Sequence, residues 1–362
     1  MPTRRAAIIG LSWIGSDPPD PASDPALGSD MPISHAAAYA RVDDVEVVAG
    51  CDIREEARTQ FLERWRGRWP EVRAYADYRE MLASERPDIV SIAVPDTLHR
   101  EVALATIEVG VKAIYLEKPI ATNPIDARAI IEAAERAGVT MTVNFGRRWD
   151  PRFVEARRAV RSGAIGPLAT VILEFGGPRA ILWRMHSHMI DLVCFFADAE
   201  PDWVIGDLET GYEDYGTEYR GDGGRTADLE PGANIYIAYT NHVRGIVTGW
   251  KAAAQEEVVH LIGSDGRIAI DSEGLRVISV ERVNSSIPVP GLEGPSVRYL
   301  TPRYAYGGME AAVRDLITEI ETGRVTQSPP HEAWRTVAIT DAVLRSQAAG
   351  RVPVSVERLR SD

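Results

Sequence analysis

The sequence predicts an α/β Rossmann-type domain followed by an α+β domain with a large open, mostly antiparallel sheet. Three observations predict this order. The chain has 362 residues, which suggests about two domains because domains cluster near roughly 100–200 residues. Strand and helix signals alternate up to about Gly146, and short strands joined by tight turns follow it. We therefore expect one domain over residues 1–147 and a second over 148–362.

The first domain is predicted to contain a parallel sheet. Helix signals separate its strands: a charged stretch ending near Gly67, an apolar pattern over 97–110, and a segment from Pro124 to Gly138. Proline suits the first turn of a helix and glycine suits its C-cap. Such alternation favours parallel strands covered by helices on both faces. Its strands are predicted over Ala6–Gly10, Val45–Cys51, Asp88–Val94, Ala113–Leu116 and Met141–Phe145.

The second domain is predicted to be mostly antiparallel. One helix over 150–162 precedes its strands, and helices over 309–322 and 331–349 follow them. Turns rich in Ser, Asp and Gly separate the later strands, which is typical of antiparallel pairing. The segment Asp207–Gly232 lacks periodicity and is interpreted as an inserted loop. The strands are predicted over Leu168–Phe175, Asn234–Tyr239, Arg244–Trp250, Val258–Gly263, Arg267–Asp271 and Leu275–Val280.

Composition excludes several classes of function. Lys and Arg total 40 and Asp and Glu total 53, a net charge of −13, which disfavours nucleic acid as a partner. The two cysteines leave room for one disulfide but form no disulfide framework or Cys-based zinc site. No apolar run approaches the roughly 20 residues that span a bilayer. Arg4-Arg5 superficially resembles an export signal, but we interpret the residues after it as the first strand and expect a cytoplasmic location with no membrane partner.

A dinucleotide-binding fingerprint follows the first strand, with one departure. The pattern G-x-G-x-x-G has serine at its second glycine. The acidic residue falls much further on than usual, and an inserted loop over Ser16–Met31 accounts for the excess if the first helix begins near Pro32 or Ser34. The alternative interpretation is a simple tight turn. The cofactor-binding candidates here are Gly10, Ser12, Trp13, Ile14 and Gly15.

The end of the second strand predicts which dinucleotide is bound. Asp52 ends this strand, and a carboxylate there accepts hydrogen bonds from ribose hydroxyls and repels a 2′-phosphate. We therefore expect NAD as the cofactor. Arg54 keeps NADP open, because a nearby arginine can hold that phosphate. Ile53 lies between them and is a third candidate contact, whereas the alternative for Asp52 is an exposed strand end.

Lysine is nearly absent from this chain, which makes each lysine informative. There are three lysines against 37 arginines. Arginine stays protonated, whereas lysine can lose its proton when it is buried or lies near another cation. Lys118 lies in Glu117-Lys118-Pro119, just after a predicted parallel strand, where open α/β sheets bind ligands. The alternative is an exposed lysine that pairs with Glu117.

These motifs together resemble the Gfo/Idh/MocA family of sugar oxidoreductases. Glu117-Lys118-Pro119 follows Pro95-Asp96-Thr97-Leu98-His99, and Asn144–Pro151 is similar to the family's segment between its domains. The resemblance implies a Rossmann domain followed by an open antiparallel sheet. It also implies NAD(P)-dependent hydride transfer between nicotinamide and a secondary alcohol of a sugar, cyclitol or sugar derivative. Two alternatives stay open: an enzyme that retains NAD with transient sugar oxidation and no net redox, and a non-catalytic nucleotide- or sugar-binding protein.

The resemblance also implies roles for individual residues. Lys118 would position the reacting oxygen and move its proton. The family's second block, approximately D-x-G-x-H-x-x-D, matches Arg184–Asp191, in which arginine replaces the first aspartate and His186 replaces the glycine. His188 and Asp191 are three residues apart and so share a helix face. The catalytic candidates are therefore Lys118, His188 and Asp191.

Further contacts complete the predicted site. Two histidines at i and i+2 do not converge on a helix, so no metal site is expected. The substrate is expected to be a small sugar or polyol, and a homodimer or homotetramer through the second-domain sheet is expected because an open sheet face needs cover. The substrate-binding candidates are Lys118, Arg147, Arg184 and His188. The remaining cofactor-binding candidates are Pro95, His99, Glu117, Lys118 and Arg148.

Overall fold

The computed structural model describes residues 3–17, 23–24, 29–30, 32–279, 296–302 and 307–359. These residues form two compact units. The first unit contains the described residues up to Asp150 together with 307–337, and the second contains 151–302 and 338–359. Most of the predicted Ser16–Met31 loop and the last residue of the predicted strand Leu275–Val280 lie outside the described residues. The predicted domain boundary at 147 and 148 stays a prediction.

The first unit is built on a six-stranded parallel sheet. Its strand order is β3-β2-β1-β4-β5-β6, the doubly wound order in which ligands bind at the carboxyl ends of the strands, where the order reverses. The reversal lies between β1 and β4. The short β3 was not predicted. The strands are β1 (Arg4–Ile9), β2 (Val45–Cys51), β3 (Arg73–Tyr75), β4 (Ile89–Ile92), β5 (Ala113–Leu116) and β6 (Thr140–Val143).

Helices connect these strands, and their ends follow from local sequence. The Ser34 hydroxyl accepts a hydrogen bond from the Ala37 amide and caps the first helix, as the predicted start near this serine requires. Asn123 caps the fifth helix, which ends at Gly138 with a φ of 65°. Single 3-10 turns cover Asp96–Leu98 and Gly146–Trp149. The helices are α1 (His35–Ala40), α2 (Glu55–Trp65), α3 (Tyr78–Glu85), α4 (His99–Glu108) and α5 (Pro124–Ala137).

The second unit is built on a nine-stranded sheet ordered β14-β13-β12-β11-β7-β10-β9-β8-β15. Only the β7–β10 pair is parallel among these described strands, so the predicted mostly antiparallel sheet is confirmed. Strand β8, whose Pro, Gly and Asp residues are typical of loops, was not predicted, and neither were β14 and β15. The strands are β7 (Leu168–Gly176), β8 (Pro201–Leu208), β9 (Ala233–Tyr239), β10 (Arg244–Trp250), β11 (Glu257–Gly263), β12 (Gly266–Asp271), β13 (Gly274–Ser279), β14 (Ser296–Tyr299) and β15 (Val354–Ser355).

Helices cover one part of this sheet. α6 spans Pro151–Arg161, and α7 spans Ser187–Ala197 directly after a π-helical turn at Leu182–His186. α7 packs on β7 and β10. Gly245 makes this packing close, because a Cβ there would lie 2.4 Å from the Val193 side chain. A side chain at position 245 would therefore force the Val193 side chain to shift.

Two further helices follow β14 in the sequence. α8 (Gly308–Thr322) belongs to the first unit, where its apolar face shares one buried core with residues of α1 and α2. α9 (Pro330–Ala348) groups with the first unit through Val337 and with the second unit from Ala338. Both cysteines are buried, and neither forms a disulfide. In the part of the chain that the structure describes, every helix is too short or too polar to cross a membrane.

Candidate active site

The fingerprint turn leaves no room for side chains at its first and last glycines. Gly10 has a φ of 92°, and a Cβ there would lie 2.4 Å from the Ala93 carbonyl oxygen. A Cβ on Gly15 would lie 1.9 Å from the Gly10 oxygen. Glycine adopts positive φ without steric cost, whereas other residues rarely do. The sequence Gly10–Gly15 therefore folds as a tight turn between β1 and the start of α1.

Asp52 is fixed to this turn. Its Oδ2 accepts a hydrogen bond from the Leu11 amide at 3.0 Å, and its Oδ1 accepts one from the Arg54 amide at 2.9 Å. The Arg54 guanidinium donates as well, with Nε 3.2 Å from Oδ1. Burial raises the pKa of Asp52, but hydrogen bonds from Arg54 and Leu11 outweigh it and lower the pKa overall. Asp52 is thus an ionised carboxylate at the carboxyl end of β2.

Glu117 is the centre of a buried polar network at the end of β5. Its Oε1 accepts hydrogen bonds from His35 Nε2 at 3.1 Å and from Asn144 Nδ2 at 2.6 Å. Burial alone would raise the pKa of Glu117, but these two donors and the positive charge of Lys118 lower it to about 2. Lys118 is 9% exposed and its peptide bond to Pro119 is cis. An ionised glutamate therefore lies beside Lys118.

His99 holds the same segment from another side. It is the first residue of α4 and is 1% exposed. Its Nδ1 lies 2.7 Å from the Pro119 carbonyl oxygen and its Nε2 lies 3.1 Å from that of Val94. Burial lowers the pKa of this ring, although Asp96 and Glu117 oppose the shift. Both ring nitrogens of His99 therefore face backbone carbonyls.

The other predicted first-unit residues lie around this edge of the sheet. Trp13 has a φ of 45° and is 48% exposed, while Ile53 is 86% exposed. Ser12 is exposed, and Ile14 is half-buried. Pro95 precedes the 3-10 turn after β4. Ser12, Trp13 and Ile53 are thus accessible to solvent, whereas Ile14 and Pro95 are half-buried.

The two predicted arginines after β6 have different surroundings. Arg147 is half-buried in the 3-10 turn that follows this strand. Arg148 is buried, and its guanidinium donates to the Gln327 carbonyl at 2.9 Å and to the Glu332 carboxylate at 3.1 Å. Arg148 therefore joins this turn to the start of α9.

The other predicted site residues lie in the second unit. Arg184 is on the π-helical turn, and His188 and Asp191 are on α7. His188 is half-buried and Asp191 is 1% exposed, both on α7. Arg184 donates from Nη1 to the Gly223 carbonyl at 2.7 Å, so the predicted loop Asp207–Gly232 contacts this arginine. His186 is fully buried, with Nε2 2.9 Å from the Ala233 carbonyl oxygen. Among the described residues, no group of three His, Cys, Asp or Glu side chains could hold a metal ion.

Comparison with known proteins decides the family. Residues 4–145 match the oxidoreductase family with an NAD-binding Rossmann fold, GFO_IDH_MocA, and residues 153–269 match the GFO/IDH/MocA C-terminal domain. The chain belongs to this family. The resemblance inferred from the sequence and the predicted Rossmann fold are thereby confirmed, as is NAD as the cofactor of the first domain.

Individual relatives agree with the family assignment. An inositol 2-dehydrogenase of Salmonella typhimurium is 30% identical over 202 residues, which cover 53% of this chain and 54% of the relative. The chain thus matches about half the length of that protein. A myo-inositol 2-dehydrogenase of Thermotoga maritima is 24% identical and aligns with 74% of this chain and 75% of its own length. An NAD-binding oxidoreductase from Klebsiella pneumoniae shares the fold, with 18% identity, a TM-score of 0.76, and coverage of 98% of this chain and 100% of its own.

The first-unit turn fits the dinucleotide of this family. The glycine turn that excludes a Cβ at two positions and the ionised Asp52 beside it are the features that hold a pyrophosphate and a ribose.

Sequence reasoning missed His35 and Asn144, the two donors to Glu117. A histidine at the first position of the helix after a fingerprint was the available signal for His35. It also missed Glu230, which is 1% exposed and accepts a hydrogen bond from the Trp183 amide in the second unit.

Proposed function

We propose that this chain is an NAD-dependent dehydrogenase that acts on a secondary alcohol of a sugar or cyclitol, with Lys118 as the group that binds the reacting oxygen. The observation that carries the proposal is a buried lysine beside an ionised glutamate at the carboxyl end of β5, next to the dinucleotide turn. The names of the inositol dehydrogenases to which the chain is similar support the substrate class. NAD supplies a hydride acceptor or donor when it is bound.

The surroundings of Lys118 support a role in proton transfer. The negative charge of Glu117 favours the protonated lysine, which can donate a hydrogen bond and then a proton to a carbonyl oxygen during reduction. The neutral amine accepts the hydroxyl proton during alcohol oxidation. Burial strengthens both interactions, because charges act more strongly where water is excluded.

Asp52 supports NAD rather than NADP as the preferred nucleotide. Its carboxylate is ionised and would repel a 2′-phosphate. The Arg54 guanidinium, which kept NADP open in the sequence, is paired with this carboxylate. The fingerprint residues Gly10, Ser12, Trp13, Ile14 and Gly15 remain proposed contacts to the cofactor, as do Ile53, Pro95 and Arg148.

The second unit contributes proposals of its own. We keep His188 as a proton-transfer group and Asp191 as the residue that orients it, on the match to the family's second block. An arginine stays protonated, so Arg184 cannot replace the family aspartate as a base. We propose that Arg184 and Arg147 bind substrate oxygens. A homodimer or homotetramer through the second-unit sheet also stays a prediction, and light scattering measures it.

The experiment compares two lysine variants in a screen of sugars and cyclitols. Protein stripped of nucleotide is incubated with NAD⁺ and each polyol, and NADH formation is followed by absorbance. Lys118→Met should lower turnover by about a hundredfold or more, the usual range for a proton-transfer group. Lys112→Met is the matched control, because Lys112 is exposed in the same unit and pairs with Asp88 at 2.8 Å. Equal turnover in both variants would exclude the proposed role of Lys118.

A further inference from the structure

Two buried histidines flank the Glu117-Lys118-Pro119 segment, and the dehydrogenase mechanism proposed above uses neither. His35 is fully buried and His99 is 1% exposed. His35 contacts the residue before Lys118, and His99 contacts the residue after it. Histidine is otherwise rare, since the chain has seven. The position of two of them around one lysine calls for a physical explanation.

The hydrogen bonds of His35 link Glu117 to two buried hydroxyl groups. An ionised carboxylate only accepts hydrogen bonds, so His35 Nε2–H donates to Glu117. Nδ1 lies 2.9 Å from the Ser91 hydroxyl, which lies 2.8 Å from the Tyr39 hydroxyl. The Glu117 carboxylate therefore has a fixed orientation as well as a fixed charge.

His35 also joins the carboxylate to the dinucleotide turn. It is the first residue of α1, and its backbone amide donates to the Ile14 carbonyl at 2.9 Å. The next amide, that of Ala36, donates to the Gly15 carbonyl at 3.1 Å. One residue thus contacts the fingerprint turn through its backbone and Glu117 through its side chain.

His99 makes the corresponding contact on the other side. Both of its acceptors are carbonyl oxygens, and burial favours the neutral ring, which has a single N–H. The shorter contact, 2.7 Å from Nδ1 to the Pro119 oxygen, takes that hydrogen. The Pro119 carbonyl is fixed to the start of α4 in this way. The other ring nitrogen, Nε2, lies 3.1 Å from the Val94 carbonyl oxygen.

We propose that His35 and His99 are positioning residues that clamp Glu117-Lys118-Pro119 from both sides and keep the Lys118 amine in its buried place. His35 acts through the Glu117 carboxylate and His99 acts through the Pro119 carbonyl. The effect on catalysis rests on the function proposed above, whereas the clamp itself is a property of the folded first unit. Neither histidine is proposed to touch substrate or nucleotide with its ring nitrogens.

Substitution by asparagine or glutamine can distinguish the contribution of one ring nitrogen of each histidine from that of the other. The amide nitrogen of asparagine lies near the position of Nδ1, and that of glutamine lies near the position of Nε2. His35→Gln therefore keeps a donor to Glu117, whereas His35→Asn loses it. The expectation is the opposite at position 99, where His99→Asn keeps the donor to Pro119 and His99→Gln loses it. A general effect of losing a buried histidine would not produce this reversal.

The measurement is the reactivity of Lys118 toward trace acetic anhydride, with acetylation located by peptide mass spectrometry. The chain has three lysines, so each one is resolved, and exposed Lys112 is the internal reference. We expect acetylation of Lys118 relative to Lys112 to rise about fivefold in His35→Asn and His99→Gln, the change that loss of one hydrogen bond produces. His35→Gln and His99→Asn should stay closer to the parent protein. Urea unfolding of all four variants tests whether each of them is folded.

The outcomes separate the clamp from the proposed function. Equal acetylation of Lys118 within each pair of variants would overturn the clamp, whether both rates rise or neither does. If the reversal is seen, and kcat falls in the same two variants while the KM for NAD⁺ stays constant, the clamp serves catalysis. If the reversal is seen but Lys118→Met retains turnover, the clamp stands and the proposed function of Lys118 fails.

Discussion

Replacement of Glu117 by glutamine should change how the stability of the protein depends on pH. The pKa of Glu117 is lowered from 4.5 to about 2 in the folded protein. A depressed carboxyl pKa stabilises the folded state at pH values above the unfolded pKa, and this stabilisation is lost as pH falls toward the folded pKa. The shift corresponds to about 3 kcal/mol, at 1.36 kcal/mol for each pKa unit.

Urea unfolding of the parent and Glu117→Gln proteins at several pH values measures this contribution. The difference between their free energies of unfolding should be constant near neutral pH, where glutamate is fully ionised in both states. Below about pH 4.5 it should shrink by roughly 1 kcal/mol for each pH unit, because the unfolded chain then binds a proton that the folded protein does not. The glutamine variant lacks the titrating group and so isolates this slope.

A second glutamate provides the control. Glu101 is exposed and pairs with Arg79 at 3.0 Å, and exposed ion pairs contribute little to stability. Glu101→Gln should therefore show a nearly constant difference across the same pH range. If the difference for Glu117→Gln is also independent of pH down to about pH 4, Glu117 does not have a depressed pKa, and the charge argument for the lysine site fails.

Three further substitutions and one control substitution test other parts of the account. Asp52→Asn should weaken NAD⁺ binding and raise the affinity for NADP⁺ relative to NAD⁺, which a thermal-shift titration measures; an unchanged ratio would contradict the role of its charge. Gly15→Ala should lower the affinity for NAD⁺ by about tenfold or more, because its Cβ would lie 1.9 Å from a carbonyl oxygen of the turn. Gly67→Ala, where nothing lies within 4 Å, should leave NAD⁺ binding unchanged. Gly249→Ala should destabilise the protein by roughly 1–3 kcal/mol in urea unfolding, because its Cβ would lie 2.5 Å from His186 Nε2.

The sequence predicted the elements whose pattern is local and strong. Buried parallel strands are continuous apolar runs, and Val45–Cys51 and Ala113–Leu116 were predicted with the bounds that the structure shows. β8 was missed because Pro201, Gly206 and Asp207 in a half-buried strand have the composition of a loop. β3 was missed because three residues are too few for a periodic pattern.

The candidate site could be predicted only where one motif contains the residues. Glu117 and Lys118 are adjacent in the sequence, so their pairing was among the interpretations considered. The contact between His35 and Glu117 joins residues 82 positions apart, and no local pattern indicates a contact at that distance. The same holds for Asn144, which reaches Glu117 from the end of another strand. Local motifs predicted the location of the site, and the fold supplied the groups that fix its charges.

One isotope experiment tests the central claim, hydride transfer between a sugar or cyclitol and NAD. The protein is incubated with NAD⁺ and polyols that carry deuterium on their hydroxyl-bearing carbons, and the nucleotide is recovered and analysed by mass spectrometry. Deuterium stays in the nucleotide when reduced NAD accumulates, whereas a transient oxidation returns it to the product. The account predicts deuterium in the nucleotide with at least one polyol in the parent protein, and its loss in Lys118→Met. Bound NAD that acquires no deuterium from any polyol of the panel would contradict the account.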